Sequence, residues 1–596
     1  MKRLLLALSL LAPLASAKDD ADKIVLDLLQ QDLEAQMRRS STWASSRGDR
    51  RFDHLLSDPG AEARKAWLDD VARRLEAIRA VPPDKLTPAN VINAELLAYE
   101  LERRIARARF QGWQTPITQM GGPHSSLPRL HESLSFETEK HYRDYIARLE
   151  AIPAYFAQIR KNMTAGLKAG RTPPQKVMGG VPDQALFHGE SRFRRDPTGH
   201  ALYAPFKNRP KDDALAAEAR EVIAKKVVPA FRELGEFLNE KYVPGCRDTT
   251  AASALPDGTE FYNFQLESYT TTDMNSEDIH ALGLSEVKRI RTEMLEVIAR
   301  SDYPHKKKFE GEPDRLLAEF LVYLRGSPRF YFKRAEDLLR AYRDICKRMD
   351  AELPRLFGKL PRLTYGVKEM ERWIAPTNTT ARYYSGSLKN GRPGWFVANT
   401  WRLDQRPKYE MVPLALHEAV PGHHLQIALA QEADAVPEWR TLLGYTAFVE
   451  GWALYSERLG LEVGGLAGSR GMYEDPYDDF GRLTYEMWRA MRLVVDTGLH
   501  ARDWTRNQAI HYMLANSALT ETNVRREVDR YIAWPGQATA YKIGELKIRD
   551  LRARAERKLG ERFDIRAFHD AILEDGALPL PILEDKIDRW ITERVK

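Results

Sequence analysis

Apolar residues return every three or four positions through long stretches of the chain, which is the pattern of amphipathic helices. Residues 61–81 and 141–163 show it clearly. Strand-like patterns are confined to three short stretches, residues 361–370, 381–386 and 394–400. We therefore expect a mainly α fold with a small β-sheet.

Helical periodicity lapses in two segments that are rich in Pro and Gly, residues 171–184 and 243–260. A softer division falls near residue 270. We expect an N-terminal helical region, residues 18–270, and a second region, residues 271–596. The sequence contains no repeat of fixed period and no low-complexity tract, which argues against a solenoid or a disordered chain.

The first 17 residues have the features of a secretory signal peptide. A basic start precedes an apolar run from Leu4 to Leu14, and small residues follow at Ala15 and Ala17. The run is too short to cross a bilayer, and no cysteine follows the expected cleavage site near Ala17 to accept a lipid. We expect a periplasmic or secreted protein without a membrane span.

Charge and cysteine content narrow the function classes. Cleavage would remove Lys2 and Arg3 and no acid, which lowers the net charge from +6 to +4. Basic residues are mixed with acidic ones, so nothing favours a nucleic-acid partner. The only cysteines are Cys246 and Cys346, which exclude a cysteine-based metal cluster and allow at most one disulfide. Whether they pair, and the oligomeric state, stay open.

The segment ALHEAVPGHHLQ, residues 415–426, concentrates side chains that bind metals. In an HExxH helix the two histidines stand four positions apart and reach one zinc ion, while the glutamate faces the metal's water. Here His417 and Glu418 are followed by His423 and His424, at offsets of six and seven. On a regular helix His423 would lie about 120° away around the axis and His424 about 10 Å further along it, so neither would share an ion with His417. The clustering nevertheless favours a metal site over an ordinary polar helix break.

The helix cannot be regular, because Pro421 has no N–H for the carbonyl of His417 and its ring crowds that carbonyl. Gly422 adds conformational freedom. A bulge or short loop here would absorb two residues and return one histidine to the metal face. We favour His423, because a Gly-His ending resembles the HExGH form of several helical zinc peptidases, and we keep His424 as the alternative.

A third ligand is expected from the segment FVEGWALYSERLG, residues 448–460. A zinc site with two histidines commonly takes a carboxylate from a following helix and leaves one position for water. Glu450 is the preferred ligand, since Gly451 beside it lets another backbone approach closely; an acid placed by the helix dipole is the alternative. Glu457 is equally compatible with two roles, a solvated residue on the helix face and a partner that orients a ligand histidine.

Four ordered motifs, residues 417–426, 448–457, 492–500 and 530–544, together resemble the bacterial family known as domain of unknown function 885. The likeness covers most of the mature chain and is strongest from about residue 380 onward. Members of that family resemble gluzincin zinc metallopeptidases, of the group that includes angiotensin-converting enzyme and the thermostable carboxypeptidases. This implies long helices around a deep cleft, with a small sheet next to the metal-binding helix.

The resemblance implies roles for individual residues. His417, the histidine after Gly422 and Glu450 would bind zinc, and Glu418 would be the catalytic base. Glu418 would take a proton from the zinc-bound water and deliver it to the leaving amine. The implied activity is that of a carboxypeptidase-like or dipeptidase-like zinc metallopeptidase acting on short or unfolded peptides.

Some roles stay open in the sequence. Tyr541 and His500 are candidates to donate a hydrogen bond to the oxyanion. The alternatives are that Tyr541 is a core tyrosine and that His500 caps the end of a helix. Residues 383–400 contain either an edge strand that pairs with a peptide or an ordinary hairpin. Four arginines could clamp a substrate carboxylate, but none is singled out: Arg489, Arg492, Arg526 and Arg530.

Two other functions are compatible with the same residues. One is a degenerate zincin that binds peptide or cell-wall material without cleaving it. The other is a zinc amidase of non-peptide substrates. Both keep the metal site and differ from the peptidase in the reaction or in the substrate.

Overall fold

The structure is a computed structural model. It describes residues 12–210, 213–372, 374–377, 379–388, 391–433, 436–464 and 469–595. Most of these residues are helical, and a three-stranded sheet occupies the region around residues 365–398. The mainly α fold with a small sheet is thus confirmed. Residues 1–11 of the predicted signal peptide lie outside the described residues.

The chain divides into two compact units, the first ending at Phe261 and the second beginning at Tyr262. The division falls inside helix α13, Gly258–Thr270. The division predicted near residue 270 lies nine residues beyond Phe261, at the end of the same helix.

The first unit is built from helices around a core of aliphatic and aromatic side chains, in which the rings of Phe156 and Phe231 lie 4.9 Å apart between centroids. Two π-helical turns, Ile223–Val227 and Leu238–Tyr242, flank its last helix. The helices are α1 (Ala12–Arg39), α2 (Ser41–Ser46), α3 (Ala61–Arg79), α4 (Pro88–Ala108), α5 (Pro123–Ser126), α6 (Glu139–Glu150), α7 (Ile152–Lys168), α8 (Gln175–Met178), α9 (Val181–His188), α10 (Ser191–Arg195), α11 (Ala214–Val222) and α12 (Val228–Phe237).

The second unit contains the sheet and the motifs of the sequence. Its helices are α14 (Ser276–Arg300), α15 (Pro313–Gly326), α16 (Ala335–Asp350), α17 (Leu353–Leu356), α18 (Met411–Glu418), α19 (His423–Gln431), α20 (Thr446–Leu459), α21 (Pro476–Ala501), α22 (Arg506–Asn516), α23 (Glu521–Ala533), α24 (Ala540–Leu559), α25 (Ile565–Leu573) and α26 (Leu580–Val595).

The sheet has the order β1-β3-β2, with β1 (Tyr365–Glu369) parallel to β3 (Gly394–Ala398) and β2 (Ala381–Tyr384) antiparallel to it. The three strands lie inside the three stretches in which the sequence predicts them. Since β3 is central, β2 is an edge strand that also forms a hairpin with β3. An edge strand and a hairpin are thus both present, and the pairing of this edge with a peptide stays a prediction.

Two helix contacts position the site. Helix α21 is buried along almost its whole length and packs against α14 at Gly283, where an added Cβ would lie 2.7 Å from the Cβ of Leu493. Helices α20 and α24 meet at two glycines, since a Cβ on Gly451 would lie 2.5 Å from the backbone of Gly544. The close approach predicted at Gly451 is confirmed.

Cys246 and Cys346 are free, buried thiols. Burial raises the pKa of each thiol to about 12, so both stay protonated at neutral pH. Within the described part of the chain, no helix combines the length and the hydrophobicity that crossing a bilayer requires.

Candidate metal centre

The segment that carries His417, Glu418 and His423 is split between two helices. Helix α18 ends at Glu418 and α19 begins at His423, and the connection contains a cis peptide bond between Val420 and Pro421. The connection is held at its centre, because the indole N–H of Trp452 donates to the carbonyl of Pro421 at 2.9 Å. A short loop thus interrupts the helix where the sequence predicts it.

Glycine is required at position 422. A Cβ there would lie 1.9 Å from the carbonyl oxygen of His417 and 2.4 Å from that of Leu416. The backbone of the loop therefore folds tightly onto the end of α18. This fold brings the start of α19 back towards His417.

Three side chains from three consecutive helices meet at this break: His417, His423 and Glu450. One ligand atom from each lies within 4.8 Å of the other two. The Oε2 atom of Glu450 is 3.5 Å from Nε2 of His417 and 3.6 Å from Nε2 of His423. Ligands about 2.1 Å from a tetrahedral zinc ion are about 3.4 Å from one another, so both distances suit a shared ion. The three residues could hold a metal ion.

Glu457 orients the first histidine. The Nδ1 atom of His417 lies 2.8 Å from Oε1 of Glu457, so Nδ1–H donates to the carboxylate and Nε2 faces the cluster. Arg489 approaches the same oxygen at 3.4 Å. The sequence is equally compatible with a solvated Glu457 and with one that orients a ligand histidine, and the observed contact is the one that an orienting partner makes.

The cluster is electrostatically suited to a cation. Burial opposes the charged form of His417, but Glu450 and Glu457 outweigh burial and raise its pKa to about 9. Burial likewise opposes the charge of Glu450, yet His417 and His423 hold the pKa of this carboxyl well below its usual range. A negative charge is therefore kept next to two imidazoles in a largely buried place.

His424 lies in a different environment from its neighbour. Its Nδ1 atom is 3.0 Å from the hydroxyl of Tyr383, and its ring centroid is 4.6 Å from that of Tyr365. Burial lowers the pKa of His424 to about 4. Of the two adjacent histidines, the structure brings only His423 to the cluster.

A cavity of about 510 Å³ opens beside the three residues. Glu418 and Tyr541 line it, together with residues 379–383 from the edge strand β2 and the turn before it. The further lining residues are Leu414, Ile427, Val449, Tyr485, Trp488, Arg489, Arg492, Asn523, Glu527 and Arg530. The candidate ligands thus face a space that a small or extended molecule can enter.

Tyr541 and His500, the two candidates for the oxyanion, are placed differently. Burial raises the pKa of Tyr541, and the charge of Glu450 raises it further, so its hydroxyl remains a donor. His500 is buried, with Nε2 3.0 Å from the carbonyl of Tyr531 and its ring against Tyr262. His500 is not among the described residues that line the cavity, and its position is that of a structural helix-end histidine.

Several cavity residues could not be identified from the sequence. Of the four candidate arginines, Arg489, Arg492 and Arg530 lie in the cavity wall and Arg526 lies in a neighbouring pocket. Trp488 and Glu527 carried no sequence signal, because core tryptophans and helix acids are common. Only the packing of α21 and α23 shows that they face the cavity.

Fold and site together define a mainly helical protein with a cavity-lining His-His-Glu cluster. The family model described as "Bacterial protein of unknown function (DUF885)" matches residues 42–587, so the chain belongs to this family. The comparison with curated proteins found no match.

Two solved structures resemble the chain over nearly its whole length. One, from Colwellia psychrerythraea, is 26% identical, with a TM-score of 0.80 and coverage of 97% of this chain and 99% of that one. The other, from Shewanella oneidensis, is 19% identical, with a TM-score of 0.74 and coverage of 94% and 98%. Each is described as a "putative lipoprotein", the second also as of unknown function. The second likeness shows the fold alone.

Proposed function

We propose that this protein is an exported, zinc-dependent metallopeptidase that cleaves short or unfolded peptides. The observation that carries the proposal is the placement of His417, His423 and Glu450 on the wall of a cavity that Glu418 also lines. Two imidazole nitrogens and one carboxylate are a ligand set of catalytic zinc sites, which keep the remaining position for water. The donor types and their spacing fit zinc.

When bound, zinc supplies Lewis acidity that polarises a carbonyl and lowers the pKa of a coordinated water. Glu418 accepts a proton from the attacking water and delivers it to the leaving nitrogen as the C–N bond breaks. The hydroxyl of Tyr541 donates a hydrogen bond to the oxygen on which negative charge develops. Glu457 keeps the proton of His417 on Nδ1, which leaves Nε2 for the metal.

The edge strand supports a peptide as substrate. Strand β2 pairs with β3 on one side only among the described strands, and residues 379–383 form part of the cavity wall. An extended peptide can add to such an edge through its backbone. A cavity of about 510 Å³ admits a short chain segment but not a folded domain, so short or unfolded peptides fit best.

Two observations support export. Residues 1–17 have the charge, apolar run and small residues of a signal peptide. The two similar solved structures are described as lipoproteins, a class that is exported. We place the activity in the periplasm or outside the cell.

The decisive experiment is digestion of a random hexapeptide pool by the zinc-loaded protein, read by mass spectrometry. We expect defined cleavage products, and we expect Glu418→Gln to slow their formation about 100- to 10,000-fold while zinc stays bound. Glu438→Gln makes the same charge change at an exposed position and should keep wild-type activity.

The other outcomes of this digestion experiment favour other functions or other catalytic residues. Bound zinc without cleavage of any pool member would favour a peptide-binding zincin. Hydrolysis restricted to non-peptide amides would favour an amidase. Wild-type turnover by Glu418→Gln would contradict the role given to Glu418.

A further inference from the structure

We propose that Arg492 and Arg530 together anchor a carboxylate group of the substrate. We call these two residues the arginine pair. The inference rests on the proposed function, because it names the chemistry that the same cavity selects. It concerns either the C-terminal carboxylate of a peptide or the side chain of an acidic residue.

The arginine pair carries more positive charge than its surroundings neutralise. Both side chains line the cavity and share one acid, Glu527. Its Oε2 atom accepts from Nη2 of Arg530 at 3.0 Å and lies 3.3 Å from Nη2 of Arg492. The hydroxyl of Tyr531 donates to the same oxygen at 2.8 Å. Two guanidinium groups with one carboxylate leave a net positive charge in the wall.

A second acid, Asp496, interacts electrostatically with Arg530. Burial raises the pKa of Asp496 to about 7, and its Oδ1 accepts from the hydroxyl of Tyr262 and the backbone N–H of Gly536. Near neutral pH this acid is charged only part of the time. It does not cancel the excess of the arginine pair.

Arg492 is a fixed donor with unused capacity. Only 5% of its side chain is exposed, and its Nη1 atom has no hydrogen-bond partner among the described residues. Its guanidinium lies 4.6 Å from the ring centroid of Trp488 and 4.3 Å from that of Tyr541. A buried cationic donor without an acceptor is unfavourable, so an incoming carboxylate would remove that cost. The two rings hold the guanidinium plane in place meanwhile.

Arg530 provides the approach from the cavity. Its side chain is 20% exposed, and its Nη1 donates to Oε1 of Gln537 at 2.5 Å, which fixes its direction. Planar guanidinium groups bind carboxylates through paired hydrogen bonds, which is more specific than contact with a lysine ammonium. The exposed member of the pair can meet the anion first and the buried member can complete its binding.

Tyr541 connects this anchor with the metal cluster. Its ring contacts Arg492, and it lines the same cavity as Glu450 and Glu418. A carboxylate at the arginine pair is therefore separated by the side chain of Tyr541 from the groups that act on the amide bond. This placement makes the pair a selector of substrates and leaves the cleavage chemistry to the cluster.

The test uses three pools of N-acetylated hexapeptides with the zinc-loaded full chain. The first pool has no carboxylate, the second has a free C-terminus and no Asp or Glu, and the third has an amidated C-terminus and one Glu. We expect at least one carboxylate pool to be cleaved about 30-fold faster than the first, the lower end for a partly exposed charge pair. The faster pool identifies the source of the carboxylate.

Variants assign the preference to the arginine pair. Arg492→Gln and Arg530→Gln should each reduce the ratio of the cleavage rates of the carboxylate pool and the first pool to less than about 3, whereas Arg492→Lys should keep part of the preference. Arg525→Gln, at an exposed position on the same helix as Arg530, should keep all of it. Thermal melts establish that each variant is folded. Folded Arg492→Gln and Arg530→Gln proteins that both retain the full preference would overturn the proposal.

Binding separates this inference from the peptidase itself. The zinc-loaded Glu418→Gln protein is mixed with each pool, and retained peptides are identified by mass spectrometry after ultrafiltration. If the wild type cleaves no pool but carboxylate pools are still retained preferentially, the peptidase proposal fails and the anchor stands. Equal retention and equal cleavage of all three pools would overturn the anchor.

Discussion

Two pairs of neighbouring histidines, one in each unit, have similar ring spacing and opposite electrostatics. The rings of His188 and His200 lie 5.1 Å apart between centroids, and those of His417 and His423 lie 4.8 Å apart. Both pairs are close enough to suggest a shared ion. Only one of them has the surroundings that an ion needs.

The first pair belongs to an aromatic core. Phe231 contacts both rings, and Phe193 contacts His200. Burial lowers the pKa of His188 to about 4 and that of His200 to about 3. In the described part of the chain no carboxylate pairs with either ring, so both remain neutral packing groups.

The second pair is surrounded by acids. Glu450 lies within 3.6 Å of both imidazoles and Glu457 bonds the far side of one of them. Burial acts on His417 as it does on His188, yet the carboxylates reverse the direction of the pKa shift. The partners of two neighbouring histidines, more than the distance between the rings, determine whether the pair can hold a cation.

The largest effect should come from removing a ligand. We expect His417→Ala, His423→Ala and Glu450→Ala each to weaken zinc binding about 1,000-fold, because a binding free energy of roughly 12 kcal/mol shared among three protein ligands is about 4 kcal/mol for each. Competition with a chelator measures the dissociation constants. His188→Gln should leave them unchanged, and a weakening in that variant would break the comparison.

Zinc should stabilise one unit selectively. At a free zinc concentration 100 times the dissociation constant, we expect about 2.7 kcal/mol of added stability in the second unit, because only its folded form presents the site. Hydrogen exchange followed by mass spectrometry should show slower exchange in α18, α19 and α20 on adding zinc. Equal slowing in α9 and α10 of the first unit would contradict the assignment.

Glu457→Gln should weaken zinc binding by about 10- to 100-fold, less than loss of a ligand, because the variant keeps an oxygen near Nδ1 of His417 but loses its charge. The matched control is Glu462→Gln, which lies on the exposed side of the same region and pairs with Arg552. Isothermal titration of both proteins gives the difference. Equal affinities would remove Glu457 from the site.

The smallest expected effect is the contribution of His188 and His200 to the pH dependence of the free energy of unfolding. The pKa values of His188 and His200 are lower in the folded than in the unfolded chain, so the unfolded state binds more protons between about pH 4 and 6.5. The free energy of unfolding should therefore decrease as the pH falls through this window, by about 1 kcal/mol per pH unit from His200. Urea unfolding of wild type and His200→Phe measures it, and a parallel dependence in both would exclude His200 as the source.

Much of the fold follows from local pattern. All three strands lie inside the predicted stretches and residues 61–79 form α3, because a repeat of apolar positions determines which face can be buried. Residues 141–163 are helical as predicted, but they are divided between α6 and α7 at Ala151, a break that the periodicity does not indicate. The helix break follows from Pro421 and Gly422, whose backbone requirements act within a few residues. The tight contact at Gly451 follows from the missing side chain.

The choice between His423 and His424 required tertiary structure. Adjacent helix positions point about 100° apart, so one of them must leave the cluster, but the sequence does not indicate which. Tyr365 and Tyr383, which come from strands about 40 to 60 residues earlier, receive His424. Similarly, His500 has the residue type of an oxyanion donor, and only its bond to Tyr531 shows that it lies elsewhere.

The arginines of α21 show why a buried charge is hard to recognise in a sequence. Arg482, Arg489 and Arg492 are at most 5% exposed in their side chains, although arginine is usually found on a solvated face. Their acids come from other helices or from positions along α21 itself. Pairing of this kind is decided by packing between elements and leaves little trace in periodicity.

The central claim is that His417, His423 and Glu450 hold one metal ion. A crystal structure of the zinc-loaded protein, with anomalous data collected at the zinc edge, tests it most directly. We predict one strong peak about 2.0–2.2 Å from Nε2 of His417, Nε2 of His423 and a carboxylate oxygen of Glu450. A peak on His424, or no peak within reach of all three side chains, would contradict it.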